Sequence, residues 1–363
     1  MVKNIELCFD PALSYNADGK HVRDGLSTVL RTGNDLWLSC DERTTIERLT
    51  QTEAGHFEQH ASFCLTDYLE LPDKNNSEVD IEGMAQTEHY LWLIGSHSLK
   101  RKKPKHAGDA ADQIKRLSKV KTDPNRFLLA RVPIIQNKQT GRFELHKEHP
   151  HPNDAGHTLR AAKLQGNQSS SLLTDALKHD EHIGPFLSIP GKDNGFDIEG
   201  LAMQGNRIFI GLRGPVLRGW AIILEIEVEE NERGELTLKQ LTKKRPYKKH
   251  FLHLRGKGIR ELRILDDDMY LLAGPTMDLD GAIYIYRWLD ALKGAHEEKL
   301  VYHSELERLH EVPHGHGDES GKDKAEGLAI YDNETLLVVF DSPTDARKLG
   351  EHTVTANLVK VAG

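Results

Sequence analysis

One stretch of sequence recurs along this chain and constrains the fold more than any other feature. Phe196 to Pro215 reads FDIEGLAMQGNRIFIGLRGP, Val79 to Ser98 reads VDIEGMAQTEHYLWLIGSHS, and Lys324 to Pro343 reads KAEGLAIYDNETLLVVFDSP. Each holds a short apolar run, a polar turn and an aromatic–aliphatic return, the pattern of two antiparallel strands with a tight connection. Self-similarity at intervals of tens of residues signals a repeat architecture, in which each unit needs its neighbours to bury its apolar faces.

Weaker copies extend the series. Gly25 to Leu30 turns at Thr32-Gly33-Asn34 and returns over Asp35 to Asp41, while Gly258 to Ile264 turns at Asp266 to Asp268 and returns over Met269 to Gly274. Further strand segments trail the copies: Thr45 to Leu49 and His56 to Leu69, Arg126 to Val132 and Arg142 to Leu145, Trp220 to Val228 and Leu236 to Leu241, Ala282 to Trp288 and Leu300 to His303. Units of about 60 residues with four strands are blade-sized, so the expected fold is all-β, a β-propeller, in preference to an open solenoid. The fifth copy, at Lys324, has a third strand at Thr355 to Val361 and then lacks a fourth. The unassigned N-terminal segment Lys3 to Phe9 is the natural strand to close the ring. Five blades are expected. Six is the alternative, because the interval from Gly83 to Gly200 is about twice that from Gly200 to Glu261.

Residues 148–195 break the pattern. Leu159 to Leu164 and Ser171 to His182 read as short helices around a polar Gly166 to Ser170, with too little apolar content for a second core. The expectation is a single domain over 1–363 with a partly helical insertion at 148–195.

With 48 Lys+Arg against 56 Asp+Glu, the net charge of -8 argues against nucleic acid as a partner. The basic run Lys100 to Lys105 reads as a solvated loop. The most apolar run, Trp220 to Leu224, is far too short to span a bilayer, so no membrane is expected. Cys8, Cys40 and Cys64 form an odd set with no CxxC spacing, and Met1 to Leu13 lacks a signal-peptide pattern. Both features fit a cytoplasmic, reducing location.

The segments Asp80 to Ala85, Asp197 to Arg213, Lys257 to Gly274 and Ala325 to Asp341 resemble the uncharacterised bacterial family known as domain of unknown function 3616, over nearly the whole chain. The resemblance implies a propeller-like fold and supplies no activity. The Glu-Gly-Leu-Ala strands are also similar, over a shorter stretch, to propellers of the esterase-like phytase type. The first copy departs most, with Ser27-Thr28 where Glu-Gly would stand.

Aligning the copies places Ser27, Glu82, Glu199, Arg260 and Glu326 at one position, the start of the innermost strand at the channel mouth. The second strands return to the same rim and bring Asp41, His97, Arg213 and Asp341 with them. His314 and His316, in a loop just before Glu326, place two rings on one side of an extended segment, as metal sites often require. A repeated Glu can simply accept backbone N–H groups between blades. The breaks in symmetry, Arg260 among glutamates and Arg213 against His97, argue for chemistry instead.

The expected roles follow from residue type. Glu82, Glu199, Glu326 and His97 are candidate catalytic groups. Glu82, Glu199 and Glu326 with His314 and His316 are candidate ligands of a divalent cation, Ca²⁺ being preferred. Arg213 and Arg260, with Asp41 and Asp341, are candidate substrate contacts. The expected activity is metal-assisted hydrolysis of a small anionic ester or phosphate. The alternative is a non-catalytic propeller that binds a ligand or a protein on that face. No GxSxG, Walker A, HExxH or dinucleotide fingerprint is present.

Overall fold

A computed structural model describes residues 2–41, 43–73, 78–105, 108–277, 279–294 and 297–361. After β1 (Val2–Cys8), the chain forms antiparallel sheets in sequence order. The first is β2 (Leu26–Thr32), β3 (Asp35–Cys40), β4 (Thr45–Gln51) and β5 (Phe57–Cys64). The second is β6 (Ile81–Gln86), β7 (Tyr90–Gly95), β8 (Leu129–Gln136) and β9 (Phe143–Leu145). The third is β10 (Asp197–Gln204), β11 (Arg207–Gly214), β12 (Trp220–Ile226) and β13 (Tyr247–His253). The fourth is β14 (Gly258–Leu265), β15 (Asp268–Gly274), β16 (Ile283–Trp288) and β17 (Leu306–Val312). The last is β18 (Lys324–Asp332), β19 (Thr335–Asp341) and β20 (Thr353–Lys360).

The N-terminal strand completes that last sheet. β1 pairs antiparallel with β20 from Val2–Val359 to Cys8–Thr353, covering an edge that would otherwise stand open. The first strands β2, β6, β10, β14 and β18 pack in that order, and β18 returns to β2. This is a propeller-like fold, with sheets arrayed around one axis.

One apolar cluster lies between each sheet and the next, and side-chain alternation explains how a strand feeds two of them. In β3, Leu36 and Leu38 point into the cluster shared with Leu337 and Val339 of the last sheet. Trp37, between them, points the other way and packs with Met84, Leu91 and Leu93 of the second. A strand buried on both faces reads as a continuous apolar run, which is what DLWLSC and YLWLIG show.

Two fourth strands differ from the sequence expectation. Leu236–Leu238 pairs with Val228–Glu230 in a side ribbon, and the place beside β12 goes to β13. β13 reads YKKHFLH, and its polar residues disguise it. Lys249 is buried because its Nζ lies 2.7 Å from Asp180, and His250 because its Nε2 lies 2.9 Å from Glu225. Likewise Leu300–Val301 joins β13 in parallel, and β17 takes the fourth place beside β16.

The segment 148–195 is less helical than its sequence suggests. Glu148–His151 and Asp154–Arg160 form a two-stranded ribbon, and Ala162–Lys163 pairs with β8, so Leu159 to Leu164 is mostly extended. Helix α2 covers only Leu172–Leu177, capped by Ser171, whose side chain accepts from Thr174 N. Leu173, Leu177 and Ile183 share one core with Leu212 and Leu224 of the third sheet, so the segment is packed on the ring. Helix α1 (Ala110–Leu117), within the segment after the basic run, was not anticipated from sequence.

Candidate functional site

The repeated position at the head of each first strand falls on a β-bulge. Pairing passes from Leu26–Cys40 to Thr28–Ser39 and skips Ser27, and from Ile81–Gly95 to Gly83–Ile94, skipping Glu82. The same slip leaves out Arg260 in β14 and Glu326 in β18. In β10 it leaves out Glu199 and Gly200, and a second irregularity leaves Arg213 unpaired on β11. A bulge takes one side chain out of the strict in–out alternation and re-aims it. Here the re-aimed residues meet at one end of the axis.

The glycine that follows each bulged glutamate has a packing role. A Cβ on Gly83 would lie 2.8 Å from Leu201 N, one on Gly200 would lie 2.9 Å from Glu261 Cα, and one on Gly327 would lie 2.9 Å from Val29 N. Neighbouring first strands therefore touch backbone to backbone at this level. Gly200 also has φ +102°, a conformation that L side chains rarely adopt. The equivalent residues in the other two sheets are Thr28 and Glu261, and they meet on the axis. Thr28 Oγ1 donates to Glu261, which also accepts from Leu262 N at 3.0 Å and pairs with Arg263 at 2.9 Å. Arg263 in turn donates to Leu201 O at 3.1 Å. Burial works against both charges, lifting Glu261 to about 7 and lowering Arg263.

Above this level lies a cavity of about 1190 Å³. Its inner wall carries Asp41, Asp80, Glu82, Asp197, Glu199, Glu326 and Asp341 against Arg126, Arg213 and Arg260. The guanidinium groups are already engaged. Arg213 contacts Asp197 and lies 2.6 Å from Glu199, Arg260 lies 2.8 Å from Glu326, and Arg126 lies 3.0 Å from Asp80. One oxygen each of Asp41, Asp80 and Glu82 falls within 4.8 Å of the others, on the first and second sheets. Asp41 Oδ1 and Glu199 Oε2 are enclosed without a hydrogen-bond donor.

Enclosing so many carboxylates raises their proton affinity. Burial, reinforced by Asp80 and Asp41, pushes Glu82 well above the usual carboxyl range. Burial with Glu326, Asp80 and Asp341 does the same to Asp41. Asp341 rises to about 6 through burial and Glu326, and Glu199 to about 7 because burial outweighs Arg213 and Arg260. Burial would lower Arg213, but Asp197 and Glu199 hold it above its ordinary value.

The structure thus gathers Glu82, Glu199, Glu326, Arg213, Arg260, Asp41 and Asp341 around one cavity. His97 is not on its wall. A left-handed backbone (φ +52°) turns its ring inward, where Nδ1 lies 2.9 Å from Gly95 O and the ring meets Phe127 edge-on. Burial lowers its pKa to about 4, so it is neutral. His314 lines the cavity beside His316, ring centroids 4.3 Å apart, but His316 is exposed and off the wall. Ser27 donates to Ile81 O at 2.8 Å and ties the first sheet to the second. Sequence reasoning gave no role to Asp80 and Asp197, each two residues before a bulged Glu. The signal was there: only the second and third copies carry Asp-Ile-Glu-Gly.

A family model described as protein of unknown function (DUF3616) matches residues 25–357. The chain belongs to this family. No curated protein matches. Among solved structures, a PQQ-bound aldose sugar dehydrogenase from Streptomyces coelicolor is similar at 12% identity, TM-score 0.36, over 98% of both chains. Myxococcus xanthus glutaminyl cyclase is similar at 9% identity, TM-score 0.40, over 99% of this chain and 97% of that one. A GH43 endo-arabinanase from Bacillus licheniformis is similar at 9% identity, TM-score 0.36, over 92% of each.

Proposed function

We propose that the cavity binds a divalent cation through Asp41, Asp80 and Glu82 and supports hydrolysis of a small anionic ester or phosphate. The carrying observation is the convergence of these three carboxylates, one with an enclosed oxygen that lacks any donor. All three donors are oxygens, the set that suits Ca²⁺, which takes about six to eight oxygen ligands and so leaves places for water and substrate. When bound, the cation would polarise a substrate oxygen and neutralise charge developing on it.

Glu199 is the residue best suited to proton transfer. It lies deep in the cavity, held by Arg213, and its pKa of about 7 lets it carry or release a proton at neutral pH. Because Arg213 and Arg260 are occupied by carboxylates, their role in this reading is to fix Glu199 and Glu326 in place. The five four-stranded sheets support reading the ring as five-bladed, with β1 supplying the last strand of the fifth.

The test is a chelator-treated sample titrated with Ca²⁺, Mn²⁺ and Zn²⁺. Ca²⁺ is expected to raise the unfolding midpoint of the wild type and not of Glu82→Gln; a midpoint that none of the three ions moves refutes the cation. In a screen of esters and phosphate esters, Glu199→Gln is expected to abolish turnover while the protein stays folded. If the wild type turns over nothing, a ligand-binding propeller becomes the better reading.

A further inference from the structure

The roof of the cavity has the opposite charge from its floor. Residues 99–105 and 108–123 form an arm that leaves the second sheet after β7 and returns before β8. At its root Lys100–Arg101 pairs with Val120–Lys121, and Lys102 N donates to Lys119 O at 3.0 Å. Two ion pairs fasten this root to the ring: Lys100 lies 3.0 Å from Glu78, and Arg101 lies 2.6 Å from Asp193. Among the described residues, four other cations of the arm, two of them at the root itself, have no acidic side chain beside them. Lys102, Lys105, Arg116 and Lys121 all line the cavity, and among the described residues none of them has an acidic partner. They crowd one another: Lys121 first, then desolvation, Lys119, Arg116 and Lys105, lower the Lys102 pKa.

The core does not hold the arm in place either. α1 buries no residue, and Ile114 is 68% exposed. Its local bonds are polar: Arg116 Nε donates to Lys103 O at 3.0 Å, and Lys105 N to Gln113 Oε1 at 2.6 Å. A purely structural role would pair these cations, as Lys100 and Arg101 are paired. Instead they line one side of the same cavity, Lys105 and Lys121 remaining open to solvent. Like charges gathered on one side of a cavity without direct ion-pair partners favour an anionic ligand there.

We propose that this arm binds the phosphoryl groups of a small molecule carrying more than one phosphate. Three of these four cations of the arm are lysines, compact point charges with rotatable donors. They suit several tetrahedral oxyanions better than one planar carboxylate, for which an Arg fork is the match. The ligand's other end reaches the acidic wall, where its oxygens complete the cation's shell. Only that last step rests on the cation reading above; the arm's part stands without it.

The probes are inorganic tripolyphosphate and orthophosphate, titrated calorimetrically into the full chain at low and high salt, with and without Ca²⁺. The wild type is expected to bind tripolyphosphate at least about tenfold more tightly than orthophosphate, with affinity falling as salt rises. The pair Lys102→Glu and Lys121→Glu together should weaken tripolyphosphate about a hundredfold, roughly tenfold per substitution. A circular dichroism melt checks that this variant stays folded. Tripolyphosphate affinity unchanged in the variant, or no preference over orthophosphate, overturns the proposal. If binding passes both tests but Ca²⁺ neither strengthens it nor shifts the melt, the arm is upheld and the cation reading fails. If Ca²⁺ shifts the melt while tripolyphosphate does not bind, the cation reading survives and the arm fails. Binding of a single-stranded oligonucleotide more tightly than tripolyphosphate also overturns it.

Discussion

The glycine of the Glu-Gly signature serves close packing and, at Gly200, an unusual backbone angle, and three glycine substitutions separate those two demands. In Gly83→Ala the backbone φ is ordinary, but the new Cβ would sit 2.8 Å from Leu201 N and 2.9 Å from Gly200 C. That is a clash between rigid main chains, with an overpacking cost of about 1–3 kcal/mol. In Gly205→Ala nothing lies within 4 Å of the new Cβ, and only the φ of +58° is penalised, about 1–2 kcal/mol. Gly200→Ala meets both terms, φ +102° and a Cβ 2.9 Å from Glu261 Cα, so its loss is expected near their sum, about 2–5 kcal/mol. An unfolding entropy of about 2.1 cal/mol/K per residue makes 1 kcal/mol worth roughly 1.3 °C in a chain of this size. Scanning calorimetry should therefore show Gly200→Ala falling by about 3–7 °C and the other two by less. If Gly200→Ala and Gly205→Ala melt together, the close approach of first strands contributes nothing and the packing account of the signature is wrong.

Glu261 should give stability a pH dependence of its own. The folded protein holds its proton up to about pH 7, above the ordinary 4.5. Native protein thus binds more protons than unfolded protein in that window. Its contribution is full below 4.5 and is lost as pH rises through 7. The melting temperature of wild type minus Glu261→Gln should shrink from about pH 5 to about pH 8, and a constant difference would contradict this. Glu261→Ala leaves Arg263 buried without its partner and should cost about 3–5 kcal/mol in urea unfolding. Deleting Val2–Cys8 removes buried Ile5 and Leu7 and bares β20, so a loss of at least about 3 kcal/mol and oligomers on a sizing column are expected. A monomer of unchanged stability would show that β1 does not close the ring.

What could be read from the sequence was what the repeat encodes. The first strands, their returns and the need for a closing strand all follow from aligned copies, because each copy solves the same packing problem. The aligned position also proved physically real, since it is where the pairing slips. What could not be read was whatever depends on partners from other sheets. Lys249 and His250 look like loop residues until Asp180 and Glu225 are beside them. His97 sits at the same strand end as Arg213, yet a single left-handed residue turns it away from the cavity. Glu261 and Arg263 occupy positions that three other copies fill with Gly and Ala, and the first with Thr28 and Leu30. Nothing local to the fourth copy says that they meet Thr28 and Leu201 across the axis.

That meeting on the axis has a consequence for the whole molecule. Beside Arg263 lies a second hollow of about 460 Å³, bordered by Met84, Leu201 and Met203 together with Arg31, Glu88 and Arg263 itself, and it shares no wall residue with the acidic cavity. The hydrogen-bonded Thr28–Glu261–Arg263 group joins the first strands at the level of the axis. The two faces therefore offer separate hollows, and a substitution that retunes the acidic one reaches the other through Thr28, Glu261 and Arg263.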